Sequence, residues 1–263
     1  MADRPPLWPM LVAYVGAFAA IIALSLVAAG IVRGLNPDLP EHAVFEGLPG
    51  LLAGAVASSV ALVLTALAAN RGAPLSALRL VPGRETGRTL VVMVVGMLAL
   101  GQALDSLTML AGLGQRGSMV AIRKALAQAV GPDLFLAVIV IGVLAGTAEE
   151  VFFRGYMQTR LAGRLPPRLA VVIPSTSFGV LHIEWLHAIL AFLLGLYLGW
   201  ITELAGSALP AVTCHVINNA VFTLLTALWG AIEGVGVNLG LAAGGAVAFG
   251  GCVIWLHRTR TAL

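Results

Sequence analysis

Charge is what this sequence has least of. Only 10% of its 263 residues are Asp, Glu, Lys or Arg, against 59% hydrophobic, and the mean hydropathy is +0.98. A soluble domain carries roughly 25% charged residues, so a water-facing globule is excluded. The formal charge of +3 comes from scattered loop arginines. No Lys/Arg-rich face with interleaved aromatics exists, which argues against nucleic-acid binding. Cysteine is scarce too: Cys214 and Cys252 both lie in apolar stretches, so neither a disulfide framework nor a zinc ribbon is indicated. The chain lacks a Gly-x-Ser-x-Gly elbow and a His-Glu-x-x-His zinc motif, and HIEWLH at 182–187 has the wrong spacing for the latter. Internal repeats, low-complexity tails and soluble domains are also missing.

What is present is long apolar runs. A membrane-crossing helix needs about 20 mostly apolar residues. That length picks out eight segments: Trp8–Val32, Leu48–Ala69, Thr89–Leu113, Leu134–Met157, Leu169–Ile183, Trp185–Leu204, Leu209–Trp229 and Val235–His257. The expected fold is all-α: a polytopic membrane protein of about eight transmembrane helices, one domain over 1–263. The first run is too long for a signal-peptide core of roughly 7–15 residues and reads as a retained span. A short amphipathic interfacial helix is expected around Met119–Val130. Basic residues set orientation. Connections on one side hold Arg4, Arg71, Arg79, Arg84, Arg88, Arg154, Arg160, Arg164, Arg168, Arg258 and Arg260. The other side holds Arg33, Arg116, Arg123 and Lys124. Both termini are therefore expected to be cytoplasmic.

Against this background AGTAEEVFFRGY, residues 145–156, is an anomaly: two glutamates and an arginine inside an apolar run. Ionisable groups in a membrane are costly and mark functional sites by default. Successive helical residues point about 100° apart, so Glu149 and Glu150 are expected to face different partners. Glu150 and Arg154 stand four apart with the acid first, the favourable order for an ion pair. Glu149 is then left without a local counter-charge, available as a general base. SFGVLH puts Phe178 and His182 on one face, and CHVINN does the same for His215 and Asn219. Counted from the cytoplasmic ends at 1.5 Å per residue, His215 lies roughly 10 Å deep, Glu149 roughly 12 Å and His182 roughly 20 Å. An acid, two histidines and an amide on three helices describe hydrolysis of an amide by activated water. Glu149 and His182 would handle the water, while His215 and Asn219 would stabilise an oxyanion. Cys214 points about 100° away from His215, which disfavours a Cys–His nucleophile. Glu149, His182 and His215 are also an acceptable zinc ligand set. Glu203 and His257 sit at span ends, within reach of water, and His187 reads as interfacial. Gln102 and Asp105 read mainly as helix-helix hydrogen-bonding groups.

EEVFFR, FGVLH and HVINN fit Glu-Glu-x-x-x-Arg, Phe-x-x-x-His and His-x-x-x-Asn in order on successive cores. In this the chain resembles the CPBP family of intramembrane proteases, also called ABI or type II CAAX prenyl protease-like proteins, over about 133–229. The resemblance implies Glu149 as the water-activating residue with His182 beside it, His215 and Asn219 as the oxyanion hole, and Glu150 and Arg154 as supports. Members are often labelled metalloproteases, whereas the prenyl protease branch resembles a glutamate-dependent hydrolase. No required cofactor is expected, with a divalent metal such as zinc as the alternative. The implied partners are the bilayer and a membrane-embedded or lipidated peptide: a CAAX terminus, a bacteriocin or a C-terminal sorting signal. The Ala/Gly/Leu-rich composition suggests a bacterial cell membrane. Two rival readings remain. One is a non-catalytic immunity or scaffold protein of the same fold. The other is a proton-coupled transporter, which would call for two pseudo-symmetric halves.

Overall fold

A computed structural model describes residues 6–259, so Arg4 and Arg260 of the charge pattern lie outside the described residues. Among the described residues every regular element is helical. The long helices are α1 (Trp8–Leu35), α2 (Leu48–Asn70) and α3 (Gly87–Leu110), then a short α4 (Gly117–Leu126). A continuous α5 (Gly131–Ala162) is followed by α6 (Pro167–Leu181), α7 (Trp185–Ala205), α8 (Leu209–Trp229) and α9 (Val235–Thr259).

Local chemistry explains the boundaries. Proline falls in the first turn of α1, α2, α5, α6 and α8, where its missing N–H costs nothing. Thr86 and Thr89 form a reciprocal cap on α3. The Glu184 carboxylate accepts from the first free amides of α7, and Gly206 ends that helix at φ +70°. The interfacial helix runs Gly117–Leu126, two residues earlier at its start than expected.

Among the described residues seven helices are long and apolar enough to cross a membrane, one fewer than expected. The shortfall is α6, whose 15 residues extend only about 22 Å against a hydrocarbon core of about 30 Å. It nevertheless runs antiparallel along α7: Val171 lies beside Gly199, Ser175 beside Gly195, and Gly179 beside Ala188. The missing glycine side chains let the two backbones approach closely.

Helix α5 is central, packing on α2, α6, α7 and α8. Phe152, Phe153, Tyr156 and Met157 of α5 join Met10, Leu62, Ala170 and Phe178 in one core. Met93, Met97, Tyr197, Ile201, Cys214 and Leu256 form a second core among α3, α7, α8 and α9. Cys214 is thus packed in this second core, away from His215. The outer helices α1 and α9 expose Leu11, Val15, Leu26, Val247 and Ile254. Apolar side chains along whole helices need lipid rather than water around them.

Candidate active site

The site begins with two glycines. Gly142 and Gly146 of α5 form a Gly-x-x-x-Gly face against α8, where a Cβ would stand 3.1 Å from Ala220 Cα and 3.3 Å from Val216 N respectively. Close approach here brings the following residues, Glu149 and Glu150, level with His215. The α-helical turn Gly146–Glu150 is flanked by wider π-helical turns over Val138–Ala145 and Val151–Gln158. Such turns are rare and concentrate at functional sites.

Glu150 and Arg154 form the expected pair, Nη1 to Oε1 at 2.7 Å, with both side chains fully buried. Arg154 also donates to the Gly195 carbonyl at 3.0 Å and lies over the Phe178 ring at 5.1 Å. The expectation that Glu149 and Glu150 face different partners does not hold. His215 Nδ1 is 2.8 Å from Glu150 Oε1, and its Nε2 is 3.5 Å from Glu149 Oε2. The 100° between the glutamates is matched by the two ring nitrogens, which point to different sides of one imidazole inserted between them. Glu150 Oε1 already accepts from Arg154, so it meets His215 as a carboxylate, and Nδ1 carries the proton it donates. Across the longer contact, two lone pairs would repel. The Glu149–His215 pair is favourable with one proton held between them.

His182 closes α6. Its Nδ1 is 2.9 Å from the Phe178 carbonyl, which can only accept, so Nδ1–H donates and the neutral ring keeps Nε2 as an acceptor. Helical side chains lean toward the N-terminus, and this one folds back along Phe178. That ring stands edge-on to both histidines, 4.9 Å from His182 and 5.8 Å from His215. Despite the mismatch in counted depth, His182 and His215 line the same cavity. Ile183, just after His182, has φ +61°, a strained conformation for a β-branched residue. Asn219 donates to the Ile141 carbonyl at 3.4 Å and accepts from Asn218 at the same distance.

Glu149, His182, His215 and Asn219 all line one cavity of about 300 Å³, while Glu150 and Arg154 stand behind it. Four further charged, imidazole or amide groups on its wall, His187, Asn218, Asp105 and Arg123, were not placed there by sequence reasoning. His187 packs on His182 with ring centres 4.2 Å apart, because the chain breaks at 182–184 and the two residues sit on different helices. Asn218 neighbours Asn219. Asp105 binds Arg123 of α4 at 2.7 Å, so it ties a roof helix down rather than joining two spans. Away from the cavity, Glu203, expected to be satisfied by water, instead accepts from Arg79 at 2.6 Å and Gln158 at 2.9 Å. The signals were there: Gly142-x-x-x-Gly146 for the close approach, and an amphipathic α4 carrying a basic residue.

The donors do not suit a metal. Both nitrogens of His215 are turned to carboxylates, and among the described residues no three His, Cys, Asp or Glu side chains are placed to hold an ion.

Residues 131–221, about a third of the chain, match the family model described as type II CAAX prenyl endopeptidase Rce1-like. Over this segment the chain is similar to that family, in line with the CPBP resemblance of its three motifs. It contains Glu149, Glu150, Arg154, His182, His215 and Asn219 and ends two residues past Asn219, while Asp105 and Arg123 of the wall lie outside it. At family level the Rce1-like core is that of a CAAX-type peptidase working within the membrane. Comparison with curated proteins and with solved structures gives no match.

Proposed function

We propose that the protein is an intramembrane endopeptidase. It hydrolyses a peptide bond in a membrane-associated or lipidated polypeptide, of the CAAX, bacteriocin or C-terminal sorting-signal kind, in a bacterial cell membrane with both termini cytoplasmic. The observation that carries the reading is the convergence of Glu149, His182, His215 and Asn219, from three helices, on one cavity.

In this reading Glu149 removes a proton from water whose other hydrogen bond goes to His182 Nε2. The water oxygen adds to the scissile carbonyl carbon. The resulting oxyanion accepts from the Asn219 amide and from His215 Nε2–H, in the ring form whose Nδ1–H is held by Glu150. Collapse breaks the C–N bond, and the proton on Glu149 passes to the leaving amine. Glu150 and Arg154 act through His215 and are positioning residues.

The test is cleavage of a membrane-peptide library by the purified protein in detergent. Glu149→Gln and Asn219→Ala are expected to lose roughly 10²–10⁴-fold in rate while thermal unfolding is unchanged. Full cleavage by Glu149→Gln would overturn the assignment. Loss of wild-type activity on chelation, restored by zinc, would favour the Glu149, His182, His215 metal set instead.

A further inference from the structure

The cavity stops short of one end of the bundle and extends to the other. At the first end Arg154 and Gln158 are fully buried below Glu149. Gln158 donates to the Gly199 carbonyl at 2.8 Å and to Glu203, which in turn binds Arg79. None of these residues lines the cavity. At the other end its wall is formed by Met119, Ile122 and Leu126 of α4, by His187 in the first turn of α7, and by Thr226 in the last turn of α8. Asp105 and Arg123 stand at that mouth.

The two ends differ in charge. Among the described residues the first end carries Arg71, Arg79, Arg84, Arg88, Arg160, Arg164, Arg168 and Arg258 against two acids, Glu85 and Glu203. The mouth end carries Arg33, Arg116, Arg123 and Lys124 against Asp38, Glu41, Glu46, Asp105, Asp133, Glu184 and Glu233. Excess Lys and Arg in short loops stays in the cytoplasm. The antiparallel course of α6 along α7 keeps the alternation of ends intact even though α6 is short.

We infer that the substrate enters from the extracytoplasmic side, beneath α4, and that it is an uncharged, apolar polypeptide segment anchored at or emerging from that face. Between the polar floor and the Asp105–Arg123 pair and His187 at the mouth, the walls carry Leu104, Met119, Ile122, Leu126, Leu190 and Phe222, a mostly apolar lining for the residues that flank the scissile bond. As an account of substrate the inference rests on the peptidase reading; as an account of access it does not.

Single cysteines in a Cys214→Ala, Cys252→Ala background test it in intact cells with a membrane-impermeant maleimide. Gln115→Cys reports the mouth face, Gly163→Cys the arginine-rich face, and Thr226→Cys the cavity. The expected result is labelling of Gln115→Cys and Thr226→Cys in intact cells, and of Gly163→Cys only after permeabilisation. Labelling of Thr226→Cys only together with Gly163→Cys after permeabilisation would overturn the inference. So would labelling of both faces with no labelling of Thr226→Cys. Should Thr226→Cys fail to insert, Leu126→Cys on the roof gives the same readout. Adding Glu149→Gln is expected to leave the pattern unchanged while abolishing cleavage, which separates a wrong entrance from a wrong enzyme.

Discussion

The floor and the mouth of the cavity are built on opposite rules. On the floor, Glu150 and Arg154 are fully buried and locked to His215 and the Gly195 carbonyl. At the mouth, Asp105 and Arg123 keep 27% and 15% side-chain exposure, Ser118 meets His187 at a loose 3.4 Å, and Ile183 is backbone-strained. Buried charges tolerate no missing partner, whereas half-exposed ones exchange partners cheaply. The contrast teaches a division of labour. Glu149, with 16% side-chain exposure, is backed by fully buried, mutually paired groups and faced by partly exposed ones.

The sharpest way to break the contrast is to remove one floor charge. Arg154→Met is expected to destabilise by about 3–5 kcal/mol, since it strands the Glu150 carboxylate in the interior. Thermal unfolding in detergent reads this. Glu150→Met with Arg154→Met together should recover much of the stability and none of the activity, because His215 Nδ1 loses its acceptor. Recovery of both would show that the pair only makes the segment tolerable in the membrane. A step smaller is Gly146→Leu, expected to cost about 1–3 kcal/mol by overpacking α5 against α8. It should also slow cleavage by moving His215 away from Glu149, a loss that Gly30→Leu, in open space on α1, should not cause.

These two expectations bear on what could be read from residues alone. The Glu150–Arg154 pair was legible because its geometry is local: four residues along one helix determine it. All eight long helices were legible, seven of them as spans, because a lipid-facing run must be long and apolar. The sharing of His215 by adjacent glutamates was not, since it depends on how deeply α8 approaches α5, a distance that Gly142 and Gly146 set across some seventy residues of chain. His187 was misread for a related reason. Spacing of five excludes a shared helical face, but the break at Ile183 removes the helix on which that rule rests. Glu203 looked like a span-end carboxylate because Arg79 and Gln158 are 124 and 45 residues away.

Effects at the mouth should be milder. Ile183→Gly removes a left-handed strain worth roughly 1–3 kcal/mol at the expense of added unfolded-state entropy, so a net gain of about 1 kcal/mol is expected. If His182 depends on that strain for its position, cleavage falls while stability rises; if not, only stability changes. Asp105→Asn should cost about 0–1 kcal/mol. With α4 less firmly tied it should also speed maleimide reaction at Thr226→Cys, and an unchanged rate would show that the roof does not limit access.

The smallest expected effect belongs to Glu184, outside the spans at the turn between α6 and α7. Amide donation from His187, and then from Leu186, holds its carboxyl below the usual value of 4.5. A depressed folded-state value stabilises the turn above the unfolded pKa, and that contribution disappears as pH falls through the folded one. Hydrogen exchange at the Leu186 and His187 amides should therefore lose protection, relative to amides in the middle of α7, only when the pH falls below 4.5. In Glu184→Gln, which keeps one acceptor oxygen but no charge, the acid step should vanish. Its persistence would assign the mouth's pH response to the neighbouring His187 rather than to the cap. That would move the titrating group from the rim of the cavity onto its wall, against His182.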